Sequence, residues 1–429
     1  MLPTSRQNDH QYTVPKFDLE REDVQDFLHE LEGFHEQFAD CFRRSESREN
    51  FLRYMAGQFS ELERKSIEPI ALSVEGGQVR AMQHFISEVE WDDSQIISKY
   101  RSMVNEDMGS PDGALIFDET GFVKKGENSI GVSKQYCGPL GKVENCQVGV
   151  FTGYVSPDGY ALVDKRLYIP EKWFEQSHEE RREKCKLPPA TTFKTKPQLA
   201  VEMLKEIATE NSLPFKYVLG DSIYGENPEF IKGVEDLVGV SYFVSVSSKT
   251  RCWLQAPMIV KKKYKHKGKL KTKKVLQDPS KKPLPVRQIA ENIHDNFWYR
   301  RKVSEGTKGP IEYEFTKRRV DLSKEGLPDK TVWLVIRRTI GPNPEYSYYI
   351  SNAPVSTRLK TFVWLSGLRW AIEQCFEESK IEVGMDHYEV RKFRGWHHHM
   401  LTCMLAHFFL WHLKIRLGKK STVYYALAA

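Results

Sequence analysis

A chain of 429 residues, 40% hydrophobic and 28% charged, has an ordinary globular composition and length for two or three domains, which excludes a disordered or fibrous class. Its opening, MLPTSRQNDHQYTV, has no basic-then-apolar leader, and its longest apolar run, 400–411, carries His407 and is too short to cross a bilayer. Seven cysteines with neither a CxxC pair nor zinc spacing fit reduced thiols in a cytoplasmic protein rather than a disulfide scaffold.

The net charge of +6 is small but unevenly spread. Residues 1–100 hold 11 Lys+Arg against 20 Asp+Glu, whereas residues 250–350 hold 24 against 10. The positive excess therefore sits in one central block, the electrostatic footprint of a nucleic-acid partner. For its densest part the alternative is a solvated lysine-rich loop.

Residues 1–15 read as a flexible lead-in. From Phe17 to about Arg44 the apolar positions Val24, Phe27, Leu28, Leu31, Phe34 and Phe38 recur at helical spacing, and further helices are expected at 48–60, 77–90 and 93–105. The result is an all-helical segment, 1–108, bounded by the turn residues Gly109 and Pro111. Despite its acidic balance it carries one local basic cluster, Arg43, Arg44, Arg48 and Arg53.

ALIFDE, at 114–119, is an apolar run that reads as a buried strand delivering Asp118 at its end, and strand alternation turns Glu119 to the other side. A Gly/Pro-rich loop over 124–142, opened by Lys124 and Lys125, precedes two long strands at 145–155 and 160–169. The turn SPDG joins these as a hairpin. Residues 196–211 read as a helix, and YVLGD, at 217–221, as a second strand that delivers an acid, Asp221. A helix at 227–237 and a strand at 239–246 follow.

After Ser247 the character changes. The run 261–274, KKKYKHKGKLKTKK, has nine lysines in fourteen residues, Lys261, Lys262 and Lys263 among them, and is expected to be mobile. Strands at 296–303, 310–320, 331–339 (containing Trp333) and 345–351 then make 249–352 a mostly β insertion. The 152 residues from Asp221 to Glu373 exceed a single αβ connection, which agrees.

LSGLRWAIEQCFEESK, at 365–380, reads as a helix with a stripe of Leu365, Leu368, Ile372 and Phe376. At about 100° per residue, Arg369, Glu373 and Lys380 fall within roughly 40° of one another beside that stripe. A solvated charge ladder is the alternative. A second, strongly apolar helix spans 396–417. Its consecutive His397, His398 and His399 point to different faces; His399, Cys403 and His407 share one, but core packing explains the segment without zinc.

Singly, Asp118 and Asp221 read as strand-end caps. Together with Glu373 they offer hard oxygen ligands suited to Mg²⁺, and two such ions about 4 Å apart serve in-line phosphoryl transfer. On these residues the chain resembles the DDE transposases of bacterial insertion sequences. Arg369-x3-Glu373-x6-Lys380 is similar to the clade signature Tyr-x2-Arg-x3-Glu-x6-Lys, and within that clade to the family typed by insertion sequence 701, with Ser366 where the signature has Tyr. FDETGFVKKG around Asp118, GDSIYGEN around Asp221 and EVGMDHYEVRKFRGWHHH after the helix resemble the same family, and the likeness covers most of the chain from about Leu115.

The resemblance implies an α/β fold: a ribonuclease-H-like core in two parts, 109–248 and 353–429, interrupted by the basic β-rich insertion 249–352 and preceded by the helical segment 1–108, which would recognise element ends. It implies Asp118, Asp221 and Glu373 as catalytic metal ligands for Mg²⁺, with Mn²⁺ substituting. DNA contacts would come from Arg369, Lys380, Lys124, Lys125 and Lys261–Lys263. Trp333, with Trp298 as a competitor, would stack on a base drawn from the duplex. The expected partners are double-stranded DNA, both element ends and target, and a second copy of the chain, in a bacterial cytoplasm and on the nucleoid when DNA-bound. A ribonuclease-H-like nuclease without strand transfer and a domesticated DNA-binding regulator are the other readings.

Overall fold

The helical spacing of the N-terminal quarter gives α1 (Arg21–Glu36), α2 (Ser45–Gln58), α3 (Ile67–Ser73), α4 (Val79–Ser87) and α5 (Asp93–Met108) in a computed structural model that describes residues 21–91, 93–267, 269–306 and 309–417. The lead-in expected over 1–15 lies outside the described residues. Helix α3 escapes a reading by period because its seven residues include Pro69 and bury only Ile70 and Ala71. The chain divides by contact into two units, 1–215 with 371–429, and 216–370.

The first unit continues with β1 (Ala114–Val123), β2 (Ser133–Cys137), β3 (Lys142–Ser156), β4 (Gly159–Tyr168), α6 (Glu179–Lys184) and α7 (Lys196–Glu210). Strand β2 lies inside the stretch expected as loop. β3 pairs antiparallel with β1, β2 and β4. The SPDG turn closes with Ser156 opposite Gly159, and the Asp158 amide donates to Ser156 Oγ at 3.1 Å. A capping box starts α7: Thr195 Oγ1 accepts from the Gln198 amide, while the Gln198 side chain accepts from the Thr195 amide at 2.9 Å.

The second unit contains β5 (Tyr217–Gly220), α8 (Ser222–Gly225), α9 (Pro228–Glu235), β6 (Ser241–Ser245), β7 (Arg251–Trp253), β8 (Ile259–His266), β9 (Lys269–Leu276), β10 (Leu284–Pro285), α10 (Val286–Glu291), β11 (Tyr299–Gly306), β12 (Gly309–Lys324), β13 (Leu327–Arg338) and β14 (Tyr346–Ser351). Its sheet is mixed. β5 and β6 run parallel, and antiparallel pairing continues through β14, β13 and β12, with β7 and β11 on β12 and β10 on β7. The β-rich stretch 249–352 thus extends the sheet that β6 belongs to instead of forming a wholly separate layer. Among the described residues β8 and β9 pair only with each other. The lysine run is therefore an ordered two-stranded ribbon, which corrects the expectation of a mobile loop.

Two long helices end the described chain, α11 (Leu359–Val383) and α12 (Phe393–Leu417), and the boundary between the units falls within α11 after Trp370. In the first unit α12 is the core element. Phe409 packs at 5.1 to 5.7 Å from the rings of Phe34, Phe59 and Phe27, and Phe408 at 5.3 Å from Tyr100. Each such ring buried contributes about 1.5–3 kcal/mol. The N-terminal helices are thereby tied to the C-terminal helix in one core.

Three of the α12 histidines find a partner within that packing, while His397 Nε2 and His407 Nδ1 are buried without one among the described residues. His398 Nε2 lies 3.1 Å from Asp93 Oδ1, His399 Nδ1 2.8 Å from the Tyr54 hydroxyl, and His407 Nε2 2.7 Å from Glu378 Oε2. Among the described residues no helix is long and apolar enough to cross a membrane.

Candidate active site

Strand β1 buries Ala114 to Phe117 and then becomes half-exposed at Asp118 and Glu119. The Glu119 amide donates to Asp118 Oδ1 at 2.8 Å, which fixes the carboxylate against its own backbone. Alternation separates the neighbours: Glu119 pairs with Lys196 of α7 at 2.7 Å. Period two alone supports leaving Glu119 out of the site, and the pairing with Lys196 gives it a separate structural use.

The other face of β1 is covered by the second half of α11. Phe151, in register with Asp118 on β3, packs against Phe376 at 5.3 Å. Gly153, in register with Ile116, lies directly under Ile372, whose side-chain atoms would be 3.4 Å from a Cβ at that position. Thr120, two residues beyond Asp118 on the same face, accepts from Lys380 Nζ at 2.7 Å. These three contacts lay the turn of α11 that carries Glu373 over the Asp118 end of β1. Glu373 itself is exposed while Ile372 and Phe376 beside it are buried.

The segment after α11 continues this packing. Gly384, at φ 70°, ends the helix in the left-handed conformation that glycine accepts at little steric cost, and the Met385 amide returns to the Ser379 carbonyl at 2.9 Å. The chain then places Tyr388 against Phe122, with ring centroids 5.6 Å apart, and the Tyr388 hydroxyl donates to Gln147 Oε1 at 2.7 Å. Lys124 closes the cluster: its ammonium donates to the Tyr388 carbonyl at 2.9 Å and lies 3.3 Å from that ring's centre. Burial pulls its pKa down to about 7, against the opposing pull of Asp386 and Glu389. Burial likewise lowers the pKa of Lys380. Of the six lysines expected to meet DNA, Lys124 and Lys380 are thus half-buried in the first unit, whereas Lys125 is exposed.

In the second unit Asp221 caps α8, its Oδ1 accepting from the Ile223 amide at 2.8 Å. The glycines of GDSIYGEN are explained by contact. A Cβ on Gly220 would sit 2.9 Å from Tyr224 Cβ, and one on Gly225 2.1 Å from the Ser245 carbonyl oxygen. The motif is therefore a tight strand-to-helix turn that fixes the aspartate's position. Arg369, in the same unit on α11, is half-buried.

Trp333 is buried: its Nε1 donates to the Pro354 carbonyl at 3.1 Å, Phe362 packs on it, and Lys317 covers its ring at 4.1 Å. Trp298 is buried too, under Arg338 at 4.2 Å. Lys261, Lys262 and Lys263 are exposed on β8.

The donor set Asp118, Asp221 and Glu373 is chemically right for a hard divalent cation, since all three offer carboxylate oxygen and two are fixed by backbone amides. Among the described residues, no group of three or more His, Cys, Asp or Glu side chains stands ready to hold a metal. Sequence reasoning missed Thr120, Gln147 and Tyr388, which set the carboxylate face. Thr120 and Tyr388 lie inside the motifs FDETGFVKKG and EVGMDHYEVRKFRGWHHH, but the partners of all three lie more than two hundred residues away, so their contacts carry no local signal.

A family model described as DDE superfamily endonuclease matches residues 37–310, a span that includes Asp118 and Asp221 and ends before Glu373. The chain is also 25% identical over 362 residues, 82% of this chain and 80% of the relative, to a protein of Microchaete diplosiphon named as the probable transposase for insertion sequence element IS701.

Proposed function

The chain belongs to the DDE superfamily of endonucleases, and on that premise we propose that it is a DNA transposase that cleaves the ends of an insertion sequence and joins the freed 3′-hydroxyls to target DNA. The reading is supported first by the helix-on-strand arrangement of the first unit, where the Glu373 turn of α11 overlies the Asp118 end of β1. The similarity to the probable IS701 transposase over four-fifths of both chains supports the joining step. The fold behind it is ribonuclease-H-like.

Asp118, Asp221 and Glu373 would hold divalent metal, Mg²⁺ by preference with Mn²⁺ able to replace it. When bound, the ions supply charge neutralisation at the scissile phosphate and an activated water. The backbone amides on Asp118 and Asp221 pre-set two of the three carboxylates, so little rotamer freedom is lost on assembly. Water attacks phosphorus and the P–O3′ bond breaks, leaving a 5′-phosphate and a 3′-hydroxyl; that hydroxyl then attacks a target phosphodiester, and the target's own P–O3′ bond breaks as the new one forms, freeing a target 3′-hydroxyl. No covalent link between protein and DNA is required. Arg369 and Lys125 contact phosphate near the cut, while Lys380 and Lys124 hold the β1 face in shape. Two ends call for at least two copies of the chain, and the working compartment is the bacterial cytoplasm.

The test is cleavage of a duplex carrying a labelled element end, in Mg²⁺, by the wild type and by Asp221→Ala. Loss of cleavage with end binding retained is expected; cleavage by the variant within tenfold of wild type overturns the assignment. If the 3′ ends are cut but never joined to a supplied target, a nuclease without strand transfer is the better reading.

A further inference from the structure

The β8–β9 ribbon carries an arrangement that the catalytic reading does not use. Its two eight-residue strands are joined through Lys267, at φ 49°, and run in the register Lys261 opposite Lys274, Lys262 opposite Lys273, Tyr264 opposite Lys271 and His266 opposite Lys269. No acidic residue occurs between Ile259 and Leu276. Every residue of β8 and the first six of β9 are exposed, including Ile259, Val260, Tyr264 and Leu270. None of these lysines is in an ion pair among the described residues.

Two general rules make this hairpin unusual. Like charges directly opposite each other destabilise a strand pair, and a lone two-stranded ribbon is marginal in water. Here lysine faces lysine at two successive positions, and neither face of the ribbon is buried against protein. A local preference so contradicted calls for a polyanion to neutralise it.

The distribution of charge selects the kind of polyanion. Because side chains alternate, Lys261, Lys263, Lys265 and Lys274 lie on one face, and Lys262, Lys269, Lys271 and Lys273 on the other. A ribbon lying on a flat anionic surface needs cations on one face only. Four on each face fit a cleft with phosphates along both walls. The major groove of B-DNA, about 12 Å wide, admits a two-stranded β-ribbon without deformation, whereas the minor groove, at about 6 Å, admits one only when the duplex is bent or widened at an energetic cost. A ribbon of eight residues at about 3.4 Å each reaches roughly 27 Å along such a groove.

We propose that β8–β9 is a two-faced basic ribbon that enters the major groove of double-stranded DNA and grips the phosphates of both walls. The proposal rests on the reading of the protein as a DNA transposase and adds the element and the groove through which duplex is held.

The experiment uses the full chain in EDTA, so that cleavage plays no part, and follows binding to random-sequence duplex across a salt series. Two quadruple variants are compared with wild type: K261Q/K263Q/K265Q/K274Q and K262Q/K269Q/K271Q/K273Q. Glutamine relieves the cross-strand repulsion, so both variants should melt no lower than wild type. Each neutralised phosphate contributes about 0.9 to the slope of log affinity against log salt. Both variants should therefore lose about 2–4 from that slope, and both should weaken protection of guanine N7 from methylation. Loss of slope from one face alone, unchanged N7 protection, or an effect confined to anionic lipid vesicles would each overturn the proposal. The cleavage assay on Asp221→Ala is independent: its failure removes the catalytic reading and leaves the ribbon result standing, and the reverse also holds.

Discussion

In the first unit Lys124, Lys165 and Lys380 are withdrawn from solvent, and each meets a definite acceptor: the Tyr388 carbonyl, Asp93 and the Thr120 hydroxyl. On the β8–β9 ribbon nine lysines stand exposed, and two cross-strand positions set lysine against lysine. The same side chain fills two offices. Where it is desolvated, it positions neighbouring groups and its charge is expensive to keep. Where it is solvated and repeated, it acts as a polyelectrolyte whose worth lies in the number of phosphates it neutralises. Burial separates the two offices.

If the buried lysines only shape the face on which the carboxylates act, removing a carboxylate must have the largest consequence. Glu373→Gln should reduce Mg²⁺-dependent end cleavage to background while leaving duplex affinity and its salt slope unchanged, as read by gel assay and anisotropy together. Lys165→Met comes next. It leaves Asp93, 3.5 Å away, without its buried cation and should cost about 3 kcal/mol in denaturant unfolding, with Asp93 still held by His398.

Lys380→Met strips a buried threonine hydroxyl of its donor and should cost about 1–3 kcal/mol with no change in salt slope. A slope lower by about 0.9 would instead put that ammonium on DNA and break the comparison.

Lys124 offers a pH test. Its folded pKa, about 7, lies below the unfolded value of 10.5, so between those values the unfolded chain binds the proton that the folded chain has released. Stability should therefore rise with pH across that window, by up to about 2 kcal/mol between pH 7 and 8.5, and Lys124→Met should flatten the rise. Equal slopes of unfolding midpoint against pH in both proteins would show the lysine charged and solvated. The smallest effect belongs to a single ribbon lysine. Lys263→Gln should leave the melting midpoint in place and lower the salt slope by about 0.9.

Much of the element order was legible from local pattern. Alternation and apolar runs located β1, β3, β4 and β11 to β14 to within a few residues, and the helical period located α1, α4, α5, α7 and α11. Short elements escaped: α3 with its proline, β2 inside a glycine-rich stretch and the six-residue α6. The lysine ribbon escaped for another reason. Its local composition argues against any structure, and only pairing across the turn at Lys267 reveals one.

The sequence by itself determined that Asp118 and Glu119 point to opposite sides of β1, that SPDG closes a hairpin, and that Glu373 stands beside an apolar helical stripe. Each follows from a period or a turn preference acting over fewer than ten residues. Only the tertiary structure decided that Lys124 and Lys380 are half-buried on definite acceptors while Lys261 to Lys263 are exposed, that Trp333 is a core residue, and that the N-terminal helices share a core with α12. Those outcomes turn on which distant surface excludes water from a side chain, and a local pattern carries no record of its long-range partner.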